Sequence, residues 1–188
     1  MIIQILGPTG SGKSTVVRHL IKNQKHHSLP DGREKCCGYS LEMNPRVYVL
    51  GSYEGKCVGA ESFRTKREIV YSIKAMALCG SVVFEGVELS PDDYSGLVKC
   101  DKFVFAFLET PLEDCLAHSG AWQIAEKNFI RREFERHHRL RHEYQKIGMD
   151  VRILNHLDPA NQIVDWLVSQ QLQGFPLTNA LASPELAG

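Results

Sequence analysis

The sequence predicts a three-layer α/β/α fold on a mainly parallel five-stranded sheet, with a small hairpin insertion. Two observations lead there. Short apolar runs alternate with helix-periodic segments along most of the chain, which is the order that βαβ units require. The first of these runs also passes through a glycine-rich stretch straight into a helix, as strands do at the carboxyl edge of an open parallel sheet. The 188 residues suit one domain with a sizeable core.

Each element follows from its local pattern. Ile2–Leu6 reads as a buried strand, and Lys13–Asn23 as a helix with Val16, Val17, Leu20 and Ile21 along one side. Lys22–Arg33 is polar and contains Leu29-Pro30-Asp31-Gly32, which predicts a loop. Lys35–Met43 and Arg46–Tyr53 predict a pair of strands joined through Asn44-Pro45. Residues 62–79 carry Phe63, Ile69, Ile73 and Met76 near helical spacing. Gly80–Gly86 is a buried strand ending in a carboxylate, and Leu89–Cys100 a loop and short helix opened by Ser90-Pro91. Lys102–Thr110 reads as a strand, and Pro111–His118 as a helix with proline first. A long helix covers roughly Trp122–Ile147, stopped by Gly148. Val151–His156 is the last strand, and Asp158–Leu172 the last helix. The domain is thus expected over 1–172, with a hairpin and acceptor-side insertion at about 34–61 and a lid and basic helix at about 118–147. Residues 173–188 lack periodicity and are expected to form a flexible tail.

Composition narrows the function classes. Twenty-two lysines and arginines balance 22 aspartates and glutamates, which disfavours coating nucleic acid by bulk charge. No apolar run approaches the roughly 18 residues a membrane span needs. The opening Met1–Leu6 lacks the basic start of a signal peptide. The six cysteines (Cys36, Cys37, Cys57, Cys79, Cys100 and Cys115) form no C-x-x-C pair, so they read as reduced thiols of a cytoplasmic protein.

The chemistry begins at Gly7-Pro8-Thr9-Gly10-Ser11-Gly12-Lys13-Ser14, which fits the P-loop pattern G-x-x-x-x-G-K-[ST] and is followed by Thr15. Glycine permits the positive φ angles that turn successive N–H groups inward around an anion. The start of the next helix adds its positive end. Lys13 is placed to reach the outer phosphates of ATP, and the Ser14 hydroxyl to ligate Mg²⁺. The guanine-reading pattern N-K-x-D of GTPases is absent. Size, strand count and a helix-rich second half resemble the small-molecule and nucleotide kinases among P-loop proteins.

A second carboxylate, Glu85, ends an apolar strand ahead of Gly86. At the carboxyl edge of the sheet it is placed to hold Mg²⁺, partly through water, or to orient an attacking hydroxyl. Between Val47 and Phe63, Gly51, Tyr53, Gly55, Gly59 and Glu61 suggest a binding loop. Tyr53 is a candidate to stack on a base, Glu61 to take the acceptor's proton, and Arg64 to meet an acceptor phosphate.

This segment, with Phe84-Glu85-Gly86 after a helix, resembles phage P-loop kinases that act on 5-hydroxymethyluracil in DNA. Their pattern is glycine-x-tyrosine followed by glycine-glycine-x-aspartate. Here it reads Gly51-Ser52-Tyr53, then Val58-Gly59-Ala60-Glu61, with valine for one glycine and glutamate for the aspartate. The resemblance extends loosely from Ile2 to Leu167. It implies transfer of the ATP γ-phosphate to a base hydroxymethyl group, with ATP, Mg²⁺ and hydroxymethyluracil-containing DNA as partners. A free nucleoside or nucleotide kinase, and an NTPase without acceptor, are the alternatives.

The basic helix carries Ile130, Phe134, His137, Leu140, Tyr144 and Ile147 as an expected buried stripe. Likeness to the kinase group, whose lid arginines follow a segment like Phe107–His118, points to Arg131 and Arg132 as charge-neutralising residues. Arg136 is a candidate for an acceptor phosphate or DNA backbone, while Arg139 and Arg141 read as solvated. The same likeness places Asn155, beside His156, near the adenine. His26, His27, Cys36 and Cys37 are zinc-type residues, but adjacent ligands diverge and strain a single tetrahedral site.

Overall fold

The computed structural model describes residues 1–30, 36–53, 59–120 and 123–174. Seven strands form one sheet: β1 (Ile2–Leu6), β2 (His26–Pro30), β3 (Cys36–Leu41), β4 (Val47–Leu50), β5 (Ser81–Glu85), β6 (Phe103–Glu109) and β7 (Asp150–Asn155). Their order across the sheet is β2-β3-β4-β5-β1-β6-β7. The stretch β4-β5-β1-β6-β7 is parallel throughout. These are the expected five parallel strands. The hairpin of β3 and β4 is antiparallel, and β4 belongs to both parts, so the insertion extends the same sheet.

The six helices are α1 (Lys13–Lys22), α2 (Lys66–Ala77), α3 (Pro91–Val98), α4 (Leu112–His118), α5 (Ile124–Lys146) and α6 (Pro159–Gly174). Side-chain alternation along the strands divides the core into layers. Ile3, Ile5, Val83, Val104 and Ala106 face Val16, Val17 and Leu20 of α1 and Ile163 and Leu167 of α6. Ile2, Phe84, Phe103 and Phe105 face the other way, toward Ile69 and Ile73 of α2, Tyr94 and Leu97 of α3, and Leu140 and Tyr144 of α5. Tyr144 lies 4.3 Å from Phe105, centroid to centroid, and so pins the far half of α5 to the sheet. Gln4 is the polar exception in β1. It is fully buried, and its Nε2 donates to the Val87 carbonyl at 2.6 Å, which ties down the segment after β5.

The structure departs from the sequence reading in four places. His26–Pro30, expected as loop, is the edge strand β2, antiparallel to β3. Its side chains are almost all exposed, so it shows no apolar alternation, and main-chain bonding alone defines it. Pro30 sits where the register shifts, a position open to proline on an edge. The helix expected over 62–79 begins at Lys66, where Thr65 and Glu68 form a capping box. A separate 3₁₀ turn, Ala60–Ser62, precedes it. Ile147 is 70% exposed and leaves the stripe of α5, in which Ile130 is the fully buried member. The last helix runs to Gly174, two residues past the expected domain limit, and the expected tail beyond it lies outside the described residues. Among the described residues no helix is long and apolar enough to cross a membrane.

Phe84 is fully buried, whereas Tyr71 on the outer face of α2 is 76% exposed. Thermal or urea denaturation of Phe84→Ala is expected to show a loss of about 3–5 kcal/mol. Tyr71→Ala is expected to stay within about 0.5 kcal/mol of the parent.

Candidate functional site

The parallel strands bring their carboxyl ends to one edge. Ile5 pairs with Glu85, and Leu6 with Phe107, so the loop after β1 emerges between the ends of β5 and β6. That loop curls as the motif requires. Gly10 and Gly12 have φ of 80° and 94°. A Cβ on Gly10 would fall 2.1 Å from the Cys115 carbonyl oxygen, so α4 backs the loop closely and leaves no room for a side chain. Thr110 Oγ1 at the end of β6 donates to the Ser11 carbonyl at 2.8 Å and fastens the loop from beneath. Lys13 follows the turn and folds back, its Nζ donating to the Gly7 and Pro8 carbonyls at 2.8 and 3.0 Å.

The Ser14 hydroxyl donates to Glu85 Oε1 at 3.0 Å. Glu85 is only 2% exposed. Both expected metal-holding residues are therefore side by side at the floor of one cleft. A hydroxyl and a carboxylate are hard oxygen donors of the kind Mg²⁺ takes, so the residues present fit that ion. The loop also fits an anion, for the Thr9 N–H already holds a carboxylate oxygen, that of Glu133, at 3.1 Å.

The acceptor-side segment approaches the same carboxylate. Gly51 follows β4 with φ of 101°, and Gly59 has φ of 68°. A Cβ on Gly59 would fall 2.3 Å from Glu85 Oε1, so a side chain there displaces the carboxylate. Tyr53 is not open for stacking. It is 7% exposed, its ring lies against Tyr39, and its N–H donates to the Tyr39 hydroxyl. Burial, and next the charge of Glu85, hold the Tyr53 phenol well above its ordinary value. What Tyr53 brings to the site is therefore a protonated hydroxyl beside Glu85 rather than a ring face. Glu61 stands in the 3₁₀ turn next to Gly59; its side chain, and residues 54–58 with Gly55, lie outside the described residues. Arg64 is exposed on the way into α2, where its backbone N–H donates to Glu68.

Helix α5 covers the cleft, but with a different face from the one expected. Arg131 and Arg132 are exposed and bond to Asn128 of their own helix. The polar residues of α5 that line the cleft of about 380 Å³ over Lys13, Ser14 and Glu85 are Glu133, Arg136 and His137. Their spacing of three and four puts them on one face of the helix. Arg136 pairs with Glu88, and Glu133 with Thr9. Burial, and next the nearby Lys13 ammonium, lower the His137 pKa to about 4, so the ring is neutral at pH 7. Its Nδ1 is buried without a hydrogen-bond partner. Sequence reasoning missed Glu133, Glu88 and the site role of His137. The signal available was the i, i+3, i+4 set on a helix already read as a lid.

His137 and Gly7 also line a second cleft of about 490 Å³, bounded by Phe107, Thr110, Asn155 and His156. Asn155, expected near the adenine, borders this cleft, and its Oδ1 accepts from the Leu157 N–H. The zinc-type residues are otherwise engaged. His26 Nδ1 meets the Gln24 carbonyl and His27 Nε2 meets Glu42. Among the described residues no group of three or more metal-type side chains gathers.

No protein-family model matches the chain. It is 30% identical over 124 residues to a 5-hmdU DNA kinase of Pseudomonas phage PaMx11, a match covering 61% of this chain and 65% of that relative. Among solved structures it is similar to a gluconokinase from Sinorhizobium meliloti 1021, with a TM-score of 0.50, 12% identity, and coverage of 92% of this chain and 97% of that one. The chain shares the fold of this gluconokinase and carries a P-loop after β1, and in sequence it resembles a phage 5-hmdU DNA kinase, of which it spans about two thirds.

Proposed function

We propose that this chain is a kinase that moves the γ-phosphoryl group of Mg·ATP to a hydroxyl of a nucleotide-type acceptor, best identified as the hydroxymethyl group of 5-hydroxymethyluracil in DNA. The observation that carries the reading is the 3.0 Å contact between Ser14 and Glu85, at the foot of a P-loop and under a basic helix. The similarity to a phage 5-hmdU DNA kinase supports the choice of acceptor. On this reading the protein acts in the host cytoplasm.

The roles in this proposal are supported by where each residue stands. The N–H groups of Thr9–Thr15 hold phosphate oxygens, and Lys13 leaves its carbonyl partners for the outer phosphates. Magnesium, held by Ser14 and by Glu85 partly through water, would offset phosphate charge during transfer. Asn155 borders the cleft proposed for the nucleobase. Glu61 takes the proton of the acceptor hydroxyl as its oxygen bonds to the γ-phosphorus and the bond to the β,γ-bridging oxygen breaks; Glu85 is the alternative base. Gly59 lets that turn lie against Glu85, and the Tyr53 hydroxyl is buried near the carboxylate without a hydrogen-bond partner among the described residues. Arg136, within the cleft, is better placed than Arg131 or Arg132 to meet charge on the phosphates; those two and Arg64 are left to contact the acceptor strand. A free nucleoside or nucleotide as acceptor is the second reading, favoured by the zero net charge.

The experiment that tests the reading offers γ-labelled ATP with hydroxymethyluracil DNA, with thymine DNA and with free nucleotides. Label on the modified DNA alone is expected. Label on free nucleotides alone supports the second reading, and free phosphate released without any acceptor identifies an NTPase instead. Lys13→Ala is expected to lower transfer by at least about a hundredfold with an unchanged circular dichroism spectrum. Near-parental activity would remove Lys13 from the mechanism. In Glu61→Gln, turnover is expected to fall by about a hundredfold or more with ATP affinity nearly unchanged. A parental rate there, with the loss appearing in Glu85→Gln, would reassign the base.

A further inference from the structure

The cradle of this chain already contains an anion of its own. The Thr9 N–H donates to Glu133 Oε2 at 3.1 Å, and Thr9 Oγ1 donates to the same oxygen at 2.6 Å. A carboxylate from α5 thus occupies a donor in a loop whose inward N–H groups suit phosphate. Lys13 indicates which phosphate would lie there. Its ammonium rests on the carbonyls of Gly7 and Pro8, the two residues immediately before Thr9. In this motif the lysine serves the outer phosphates, while the start of the following helix serves the inner ones. Thr9 therefore belongs to the outer end of the cradle, and Gly12–Ser14 to the inner end.

A third phosphate and Glu133 would contend for one donor. Both are anionic and so repel one another at such range. A nucleoside diphosphate fills only the inner end and leaves the Thr9 contact intact. We propose that Glu133 is a specificity-determining residue that the third phosphate must displace from Thr9 and that a diphosphate need not. This rests on the kinase reading of the cradle.

The consequence extends along α5. Arg136 and His137 share the cleft-lining face with Glu133, so a displacement of the helix itself that withdrew Glu133 would carry them with it. Once the outer phosphoryl group has moved to the acceptor, Thr9 is again open to Glu133. The residue thus distinguishes the loaded donor from the spent one.

Calorimetric titration of the full chain tests this. Parent, Glu133→Ala and Glu133→Gln are each titrated with Mg·ADP and with the Mg complex of the β,γ-imido ATP analogue. The expected result is triphosphate affinity raised about tenfold relative to diphosphate affinity in Glu133→Ala, with a smaller rise in the same direction in Glu133→Gln. Diphosphate affinity should change less than about twofold, since the inner end is untouched. Equal changes for both nucleotides, or an unmoved ratio, would overturn the proposal while leaving the kinase reading in place. A parent that binds neither nucleotide would remove both. Thermal midpoints close to the parent's are expected throughout, because Thr9 is exposed and the contact is a surface one.

Discussion

The parallel pairing of β1 with β5 is the constraint from which the rest of the site follows. It sets Ile5 opposite Glu85, so that the chain leaving β1 and the carboxylate ending β5 arrive at one edge of the sheet. The eight-residue loop then needs only to turn back on itself for Ser14 to meet Glu85. Neither strand has much freedom. Ile2, Ile3, Ile5, Val82, Val83 and Phe84 are fully buried between two helical layers. A slip of one residue in either strand would put apolar side chains on the wrong faces and carry Glu85 away from the loop. Packing on both faces of the sheet thereby fixes a distance between two polar groups at its edge.

The cleft above that edge has a floor and a roof of different make. Its floor is strand-end and loop backbone, fastened by Thr110, Cys115 and Gln4. Its roof is one helix, anchored at its far end by Tyr144 against Phe105 and held near the loop by pairs from Glu133 and Arg136. Charge alternates across the gap: Lys13 and Arg136 against Glu85, Glu88 and Glu133. His137 stays neutral among them because burial and the ammonium of Lys13 disfavour its charged form. On the proposed reading, entry of a polyphosphate would exchange these internal pairs for external ones at the roof.

The parts of the site that were legible in the sequence are those specified locally. A glycine-rich turn between a strand and a helix has to be written in consecutive residues, so Gly7–Ser14 could be placed from spacing alone. Glu85 was legible because a buried strand that ends in a carboxylate delivers it to a known edge. The face of α5 was not. A helix with arginines on several sides reveals its inward face only once Tyr144 and Leu140 have docked on the sheet, and that docking turns Glu133, Arg136 and His137 inward and leaves Arg131 and Arg132 in water. Tyr53 failed for a related reason: an aromatic beside glycines reads as a ligand platform, yet here the ring completes a core with Tyr39. The edge strand β2 was illegible because exposed polar residues on both sides erase the period-two signal.

The central claim is that the Gly7–Ser14 loop and Glu85 form one site for the phosphates and metal of ATP. A crystal structure of the chain with Mg²⁺ and a non-hydrolysable ATP analogue tests it most directly. The account predicts the polyphosphate within the loop, the metal between the Ser14 hydroxyl and the Glu85 carboxylate, and Glu133 withdrawn from Thr9. A nucleotide bound elsewhere, with Ser14 still on Glu85 and no metal beside them, would contradict it.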